Sequence, residues 1–414
     1  MKNDSSKPRP NAIAFKPREF VAIGTLGFLF LLSYGLLRSP IDAVYLDFFP
    51  AKKLPQVWLA VAFAAAFSAW GFARLSARVK FGTLALILST LLVTTGAFLF
   101  LGVGQEKKWC AFGIYVWKDV YIILLIEILW TAANLTIPKD VAKWIYGFFL
   151  VFGSVGGMTG NLVASKLGSL GHHKLSVWLA LAVVVFSMLW SPWLNSKIIK
   201  PKTTTITASI KEVFTGKSFR SIQLLLALIV LVQITTTVID YAYIQALETH
   251  AQTADARTAL GGKVYASIEV VAFILQLTSG IAIRFLGSVV PLFMIPTLLL
   301  GCIGFSILNP SFAAASITKI ANKAMDYSLF RAGKELLYFP LSYQEKTQGK
   351  AWVDVFGYRV AKGGASVLLL FTAALPAFGA WSIAAAGVVL WLVCGVFIKL
   401  RWNRYEQKND HPGN

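Results

Sequence analysis

Long apolar runs, each close to the ~20 residues a helix needs to cross a bilayer, alternate along the chain with short polar or basic stretches. The pattern predicts about twelve transmembrane helices, near 20–37, 56–74, 81–103, 111–135, 143–165, 173–194, 219–247, 263–285, 288–308, 311–338, 354–376 and 379–400. The opening "MKNDSSKPRPNAIAFKPREF" is basic, rich in proline and without a cleavage-site pattern, so residues 1–19 read as a cytoplasmic tail. A basic stretch at 195–218 divides the spans six and six, giving bundles at 20–194 and 219–400 and a second tail at 401–414.

With 57% hydrophobic and 14% charged residues, the chain is too apolar for a soluble protein, and the fold class is all-α and polytopic. The net charge of +20 would suggest nucleic acid in a soluble chain. Here most of the excess lies in the tails, the "ARLSARVK" turn and the central stretch, where the positive-inside rule accounts for it; nucleic acid is not a partner and both termini face the cytoplasm. Cys110, Cys302 and Cys394 have no metal-like spacing and the four histidines form no set, so no metal or other cofactor is expected. "TGKS" lacks the earlier glycine of a phosphate loop, where Lys211 stands instead. With no ATPase motif the chain is not expected to be an enzyme, and any transport is secondary.

The halves echo each other. Ile41, Asp42 and Tyr45 near the end of the first span match Ile239, Asp240 and Tyr243 near the end of the seventh, and "VFGSVGG" in the fifth matches "VFGYRVAKGG" in the eleventh. Six spans per half make equivalent helices parallel, as in major-facilitator transporters, whose substrate sits between the halves at the midplane.

Charges inside such spans cost roughly 2.5–3.5 kcal/mol each on insertion scales, and so mark a cavity or a partner. Candidates are Asp42, Lys118, Asp119, Glu127, Asp240, Lys319, Lys323, Asp326, Arg331, Lys334, Glu335, Arg359 and Lys362. Lys118 and Lys334 fit snorkelling to a membrane face, and the sequence neighbours Lys118 and Asp119 should point apart on a helix. Arg359 and Lys362, three apart ahead of Gly363 and Gly364, suit an anion site. Gly153, Gly156, Gly157 and Gly160 read as close helix packing.

The run "DYSLFRAGKELLYFPLSYQEKTQGKAWVDVFGYRVAKGGAS" resembles the signature region of the ATP/ADP translocases of intracellular bacteria and plastids. Ser328 to Phe330, Lys334, Glu335, Tyr338, Pro340, Leu341, Gly349 to Ala351 and Lys362 to Gly364 follow its order, and Trp130, Ala133, Asn134, Ala142, Lys143 and Tyr146 match a first-half element. The resemblance implies a twelve-helix major-facilitator fold and either ATP/ADP exchange or proton-linked nucleotide import. It implies Lys362 as a phosphate contact and Asp119 as the acid of the fourth helix. Arg38 and Asp42 keep the first-helix element, but Ile41 replaces its lysine; Arg331 adds a cation in the tenth, and Asp240 stands one position from the expected seventh-helix glutamate. The chain is thus a divergent member, with room for an altered cargo.

The reading is a nucleotide transporter working by alternating access in the bilayer of a bacterial inner membrane, a location favoured by the absence of a long plastid-type extension. Substrate contacts are expected from Lys362, Arg359, Arg331, Arg38, Asn134 and the aromatics Tyr45, Tyr243 and Tyr327, and coupling or gating from Asp42, Asp119, Asp240, Glu127, Lys323 and Glu335. Two alternatives stay open: a proton-coupled carrier of another organic anion, and a membrane scaffold that does not transport. The sequence is silent on oligomeric state.

Overall fold

A computed structural model describes residues 17–76, 78–137, 139–190, 192–193, 220–338, 353, 357–372 and 377–410, with the backbone alone at 139–148, 358–359, 377–378 and 404–410. The stretch 195–218 and most of the tail residues fall outside it, as does the signature segment from 339 to 352. The first bundle comprises α1 (Pro17–Phe48), α2 (Leu54–Ser76), α3 (Phe81–Gly104), α4 (Lys108–Thr136), α5 (Lys139–Ser169) and α6 (His173–Ser187). The second comprises α7 (Arg220–His250), α8 (Ala254–Leu286), α9 (Ile295–Leu308), α10 (Phe312–Met325), α11 (Tyr358–Thr372) and α12 (Ala377–Asp410). A π-helical turn, Asp326–Phe330, carries α10 on into Arg331–Leu336. The fold is all-helical, and among the described residues eight helices are long and apolar enough to span a bilayer.

Backbone polar groups in lipid must be satisfied by the protein itself, and the irregular places obey that rule. The π turn Val290–Met294 contains Pro291, whose carbonyl accepts from the Trp391 indole of α12 at 3.1 Å. Large apolar side chains such as Phe63, Phe67, Leu277 and Phe285 point outward, more than half exposed, as a lipid-facing surface requires.

Within the first bundle α1 and α5 cross at glycines. A Cβ at Gly156 would stand 2.3 Å from the Phe28 carbonyl oxygen, and one at Gly160 would stand 2.2 Å from that of Leu32, so only glycine permits this approach. The packing role expected for these glycines is therefore observed.

The halves meet along α5 against α8 and α2 against α11. Because successive helices reverse direction, the ends of α1, α5 and α7 and the starts of α2, α6 and α8 share one face. On that face the halves are latched. The Ala51 backbone N–H donates to the Glu248 carboxylate at 3.1 and 3.2 Å, and Arg257 Nη1 bonds Asp47 Oδ1 at 2.7 Å. His173 donates its backbone N–H to Asp255 at 3.0 Å, Ser39 Oγ donates to the Thr258 carbonyl at 2.9 Å, and Ser165 Oγ to that of Ala259 at 2.8 Å. Towards the opposite face α5 and α8 part around a cavity of about 590 Å³ whose walls include Leu150, Phe273, Leu277 and Arg331. Among the described residues, the two bundles are thus latched on one face and part between α5 and α8 toward the other.

Candidate functional site

Where the bundles meet, a cavity of about 240 Å³ is lined by five cations, Arg38, Lys118, Lys319, Lys323 and Lys362, and by the carboxylates Asp42, Asp119 and Asp240. The same wall carries Tyr34, Trp58, Tyr115, Tyr265 and Tyr327. In low-dielectric surroundings such charges persist only in mutual contact. Asp42 on α1 pairs with Lys118 on α4, and the Tyr265 hydroxyl donates to its other oxygen at 2.8 Å. Asp240 on α7 pairs with Lys319 at 2.8 Å and Lys323 at 3.0 Å on α10. Those two lysines are four residues apart and so occupy one helical face.

The two clusters are counterparts. The first helix of each half supplies an aspartate from the repeated Ile-Asp-x-x-Tyr element, and the fourth helix of each half supplies the lysine. Aromatic rings back both lysines: Lys118 Nζ lies 3.9 Å from the Tyr115 ring centroid, and Lys319 Nζ lies 4.7 Å from that of Tyr243. Between the halves, Lys362 on α11 reaches Asp119 on α4 at 3.4 Å. Lys362 is 41% exposed where Lys118 is 4%, so water enters the cavity from the Lys362 end, on the side where the bundles part.

Arg38 differs from the other cations. It forms no salt bridge among the described residues, and its guanidinium lies 3.8 Å from the centroid of the Tyr265 ring. A cation stacked on an aromatic and free of a carboxylate is available to an incoming anion. Counting side chains on the wall, five cations against three carboxylates leave two positive charges for a ligand to balance.

The structure brings Arg38, Asp42, Asp119, Asp240, Lys323, Tyr327 and Lys362 onto this wall. Tyr45 and Tyr243 lie behind it, fully buried, Tyr45 against Phe49 and Tyr115 and Tyr243 against Phe312 and Tyr265. Arg331 is exposed on the neighbouring cavity, stacked over Tyr327 at 5.2 Å, and the two cavities share Tyr327. Glu127 is half-buried, while Asn134 and Glu335 are exposed, and none of the three is on the central wall. The side chain of Arg359 lies outside the described residues.

Two expectations are corrected. Lys118 does not snorkel, because Asp42 meets its charge inside the protein, and Lys334 too is buried. Lys118 and Asp119 also approach to 3.9 Å, since a flexible lysine stem bends back across the helix surface that backbone direction alone separates. Tyr34, Tyr115, Tyr265 and Trp58 were missed as wall residues. Tyr34 and Tyr115 precede Arg38 and Lys118 by one helical turn, which is the signal that could have found them; nothing local marks Trp58 or Tyr265 among the many aromatics of this chain.

Comparison with known proteins agrees with this architecture. The sequence profile of the family described as TLC ATP/ADP transporter matches residues 264–404. Over 323 residues, 66% of this chain and 63% of the relative, identity to ADP,ATP carrier protein 1 of Rickettsia bellii is 24%. Over this stretch the chain is similar to the ATP/ADP transporter family. Identity to ADP,ATP carrier protein 1 of Chlamydia muridarum is 23% over 65% of this chain and 60% of that carrier, so the chain spans about six tenths of the length of these curated relatives. A stretch of 77 residues, 18% of this chain and 15% of the relative, is 38% identical to ADP,ATP carrier protein 3 of Rickettsia felis. Among solved structures, a bacterial homologue of the iron transporter ferroportin in its inward-facing state superposes with a TM-score of 0.69 at 12% identity, covering 92% of this chain and 98% of that one. The nucleoside transporter NupG gives 0.64 at 11% identity, covering 94% and 98%. These similarities establish the major-facilitator-like fold, and the protein is a multi-pass membrane protein.

Proposed function

We propose that this protein is a secondary transporter of nucleotides, exchanging or importing ADP- and ATP-type anions by alternating access. The observation that carries the reading is the two-charge cationic excess at the junction of the halves, deep in a membrane protein related to ADP,ATP carriers. Arg38 and Lys362 would take the phosphates, Arg38 because it has no carboxylate partner and Lys362 because it sits at the wet end of the cavity. Tyr34, Tyr265 and Tyr327 would offer faces to the base.

Asp42, Asp119 and Asp240 hold the lysines in the empty site, and a bound polyphosphate would replace them as partner. Binding then loosens the carboxylate contacts that join α4 to α11 and frees the bundles to rock. An empty site restores those contacts, so a crossing without cargo is resisted and exchange follows. In this reading the bundles 20–194 and 219–400 are the rocking units, the termini lie in the cytoplasm, the membrane is a bacterial inner membrane, and the latched face is the outer one. Asn134, Glu127, Glu335, Arg331 and Arg359 would act outside the central wall, on the path or at the gates, and Tyr45 and Tyr243 as supports for the ion pairs.

The test uses full-length protein in proteoliposomes preloaded with ADP and supplied with labelled ATP. Uptake that needs internal ADP and falls at least about tenfold in Lys362→Gln supports the reading, since a lost charge-assisted contact is worth roughly 1.5–3 kcal/mol. Labelled ATP that binds but does not exchange defeats the exchange mechanism. A thermal-shift screen that responds to another organic anion and to no nucleotide defeats the substrate. That outcome has a structural rationale: Ile41, where the family carries a cation, is fully buried among apolar side chains.

A further inference from the structure

One acidic residue near the cavity has a role in none of this. Glu269 lies on α8 one turn beyond Tyr265, and Phe273 and Gln276 follow at one and two turns. Tyr265 lines the central cavity, and Phe273 and Gln276 line the cavity between α5 and α8. Glu269 therefore stands on the strip of α8 that joins the two chambers. Above it the seam is latched through Thr258, Ala259 and Gly262, the last so close that a Cβ would stand 2.7 Å from the Asn161 carbonyl oxygen. Below it the seam is open. Glu269 occupies the point at which closure gives way to separation.

Its surroundings hold no ion-pair partner among the described residues. From α5 it faces Gly157, where an added Cβ would meet its Cδ at 3.4 Å, with Ser154 of the same helix nearby. The charged groups whose fields reach it are Arg38 from α1 and Arg331 from the extension of α10. An ionised carboxylate pressed against a glycine face is costly, and a protonated one packs there with little penalty. The same carboxylate, when ionised, competes with an external anion for the positive field of Arg38.

We propose that Glu269 is a proton-binding site linked both to anion binding at Arg38 and to closure of the α5–α8 seam. The proton passes from water in the lateral cavity to the carboxylate oxygen and returns to water when the site empties; no other bond changes. An anion on Arg38 offsets the positive field at Glu269 and so favours its protonation. By reciprocity the proton tightens anion binding. A neutral Glu269 then lets α5 and α8 close where they are now apart. The anion half of the proposal rests on the nucleotide reading, and the seam half does not.

The experiment measures both on the full chain in nanodiscs. Binding of ATP is followed between pH 8 and pH 6 in wild type, Glu269→Gln and Glu269→Asp, and the comparison with Glu269→Gln removes the titration of ATP itself. Wild-type affinity is expected to rise on acidification by about 5- to 150-fold beyond any change in Glu269→Gln, the usual span of a coupling between two sites. Glu269→Gln should bind tightly at both pH values, and Glu269→Asp should keep the pH response. In parallel, spin labels at Leu150 and Leu277 report the seam in ligand-free protein. Their distance distribution should shift with pH in wild type and stay constant in Glu269→Gln. If the label distances in wild type ignore pH, or Glu269→Gln responds as wild type does in either assay, the proposal is overturned. If ATP binds nowhere while the seam still responds through Glu269, the proton site stands and the nucleotide reading falls.

Discussion

Lys118 is buried between Asp42 and Asp119, so carboxylates rather than water balance its charge. Removing one member of such a pair leaves the other uncompensated in a poor dielectric, which typically costs about 3–5 kcal/mol. Asp42→Asn should therefore lower the midpoint of thermal unfolding in detergent far more than Lys362→Gln does, since Lys362 keeps access to water. The double variant Asp42→Asn with Lys118→Met should recover much of that loss; additive losses would show that the pair is not the stabilising unit. Arg38→Gln, which breaks no salt bridge among the described residues, should leave the unfolding midpoint near wild type while removing the stabilisation given by saturating ATP. That stabilisation is about 2.7 kcal/mol at a hundred times Kd.

The helices are fitted to each other by what they lack as much as by what they carry. At Gly160 the neighbouring backbone of α1 occupies the place of a side chain, and a carbonyl cannot move aside as a flexible side chain would. Gly160→Ala should cost about 1–3 kcal/mol or more by overpacking, and Gly104→Ala, with open space around it, should be neutral; melting temperatures of the two variants decide this. The π turn at Asp326–Phe330 works differently. It inserts an irregular turn into α10, where the Gln276 side chain of α8 donates to the freed Tyr327 carbonyl at 3.3 Å, and so turns Tyr327 toward both cavities. Such turns recur at functional sites because they re-aim a side chain without breaking the helix.

One face is held by hydrogen bonds that cross between the halves, while among the described residues α5 and α8 part around a cavity toward the other. The proposed alternating access requires the latched face to open, so fixing it should stop transport without unfolding the protein. Ser165→Cys combined with Ala259→Cys, placed where a hydroxyl now meets a carbonyl at 2.8 Å, should abolish ATP uptake under oxidising conditions and regain it on reduction. Undiminished uptake by the cross-linked protein would show that this face does not open. Loss of the Arg257 to Asp47 bond, as in Asp47→Asn, should act in the opposite sense and raise the fraction of molecules open on that face, measured by labelling of a cysteine placed at Thr258.

The all-helical class and the number of helices are legible along the chain, because lipid allows few ways to satisfy a backbone and each apolar run must therefore be a helix. The repeated Ile-Asp-x-x-Tyr element also marks two of the three cavity carboxylates, Asp42 and Asp240. What could not be read there is which charge meets which. Lys118 lies 76 residues from Asp42 and Lys362 lies 243 from Asp119, and no local pattern encodes such distances. Tyr45 and Tyr243 show the same limit: they follow their aspartates by one helical turn, yet they pack behind the ion pairs, Tyr45 against Tyr115 and Tyr243 against Lys319, rather than on the wall. Glu269 is the converse case: a carboxylate inside the predicted span 263–285 is itself a signal, but only the packing of α5 shows that Gly157 meets it. Propensity and hydropathy act over a few neighbouring residues and so decide the elements. Charge pairing acts through space across helices, and only the packed bundles decide it.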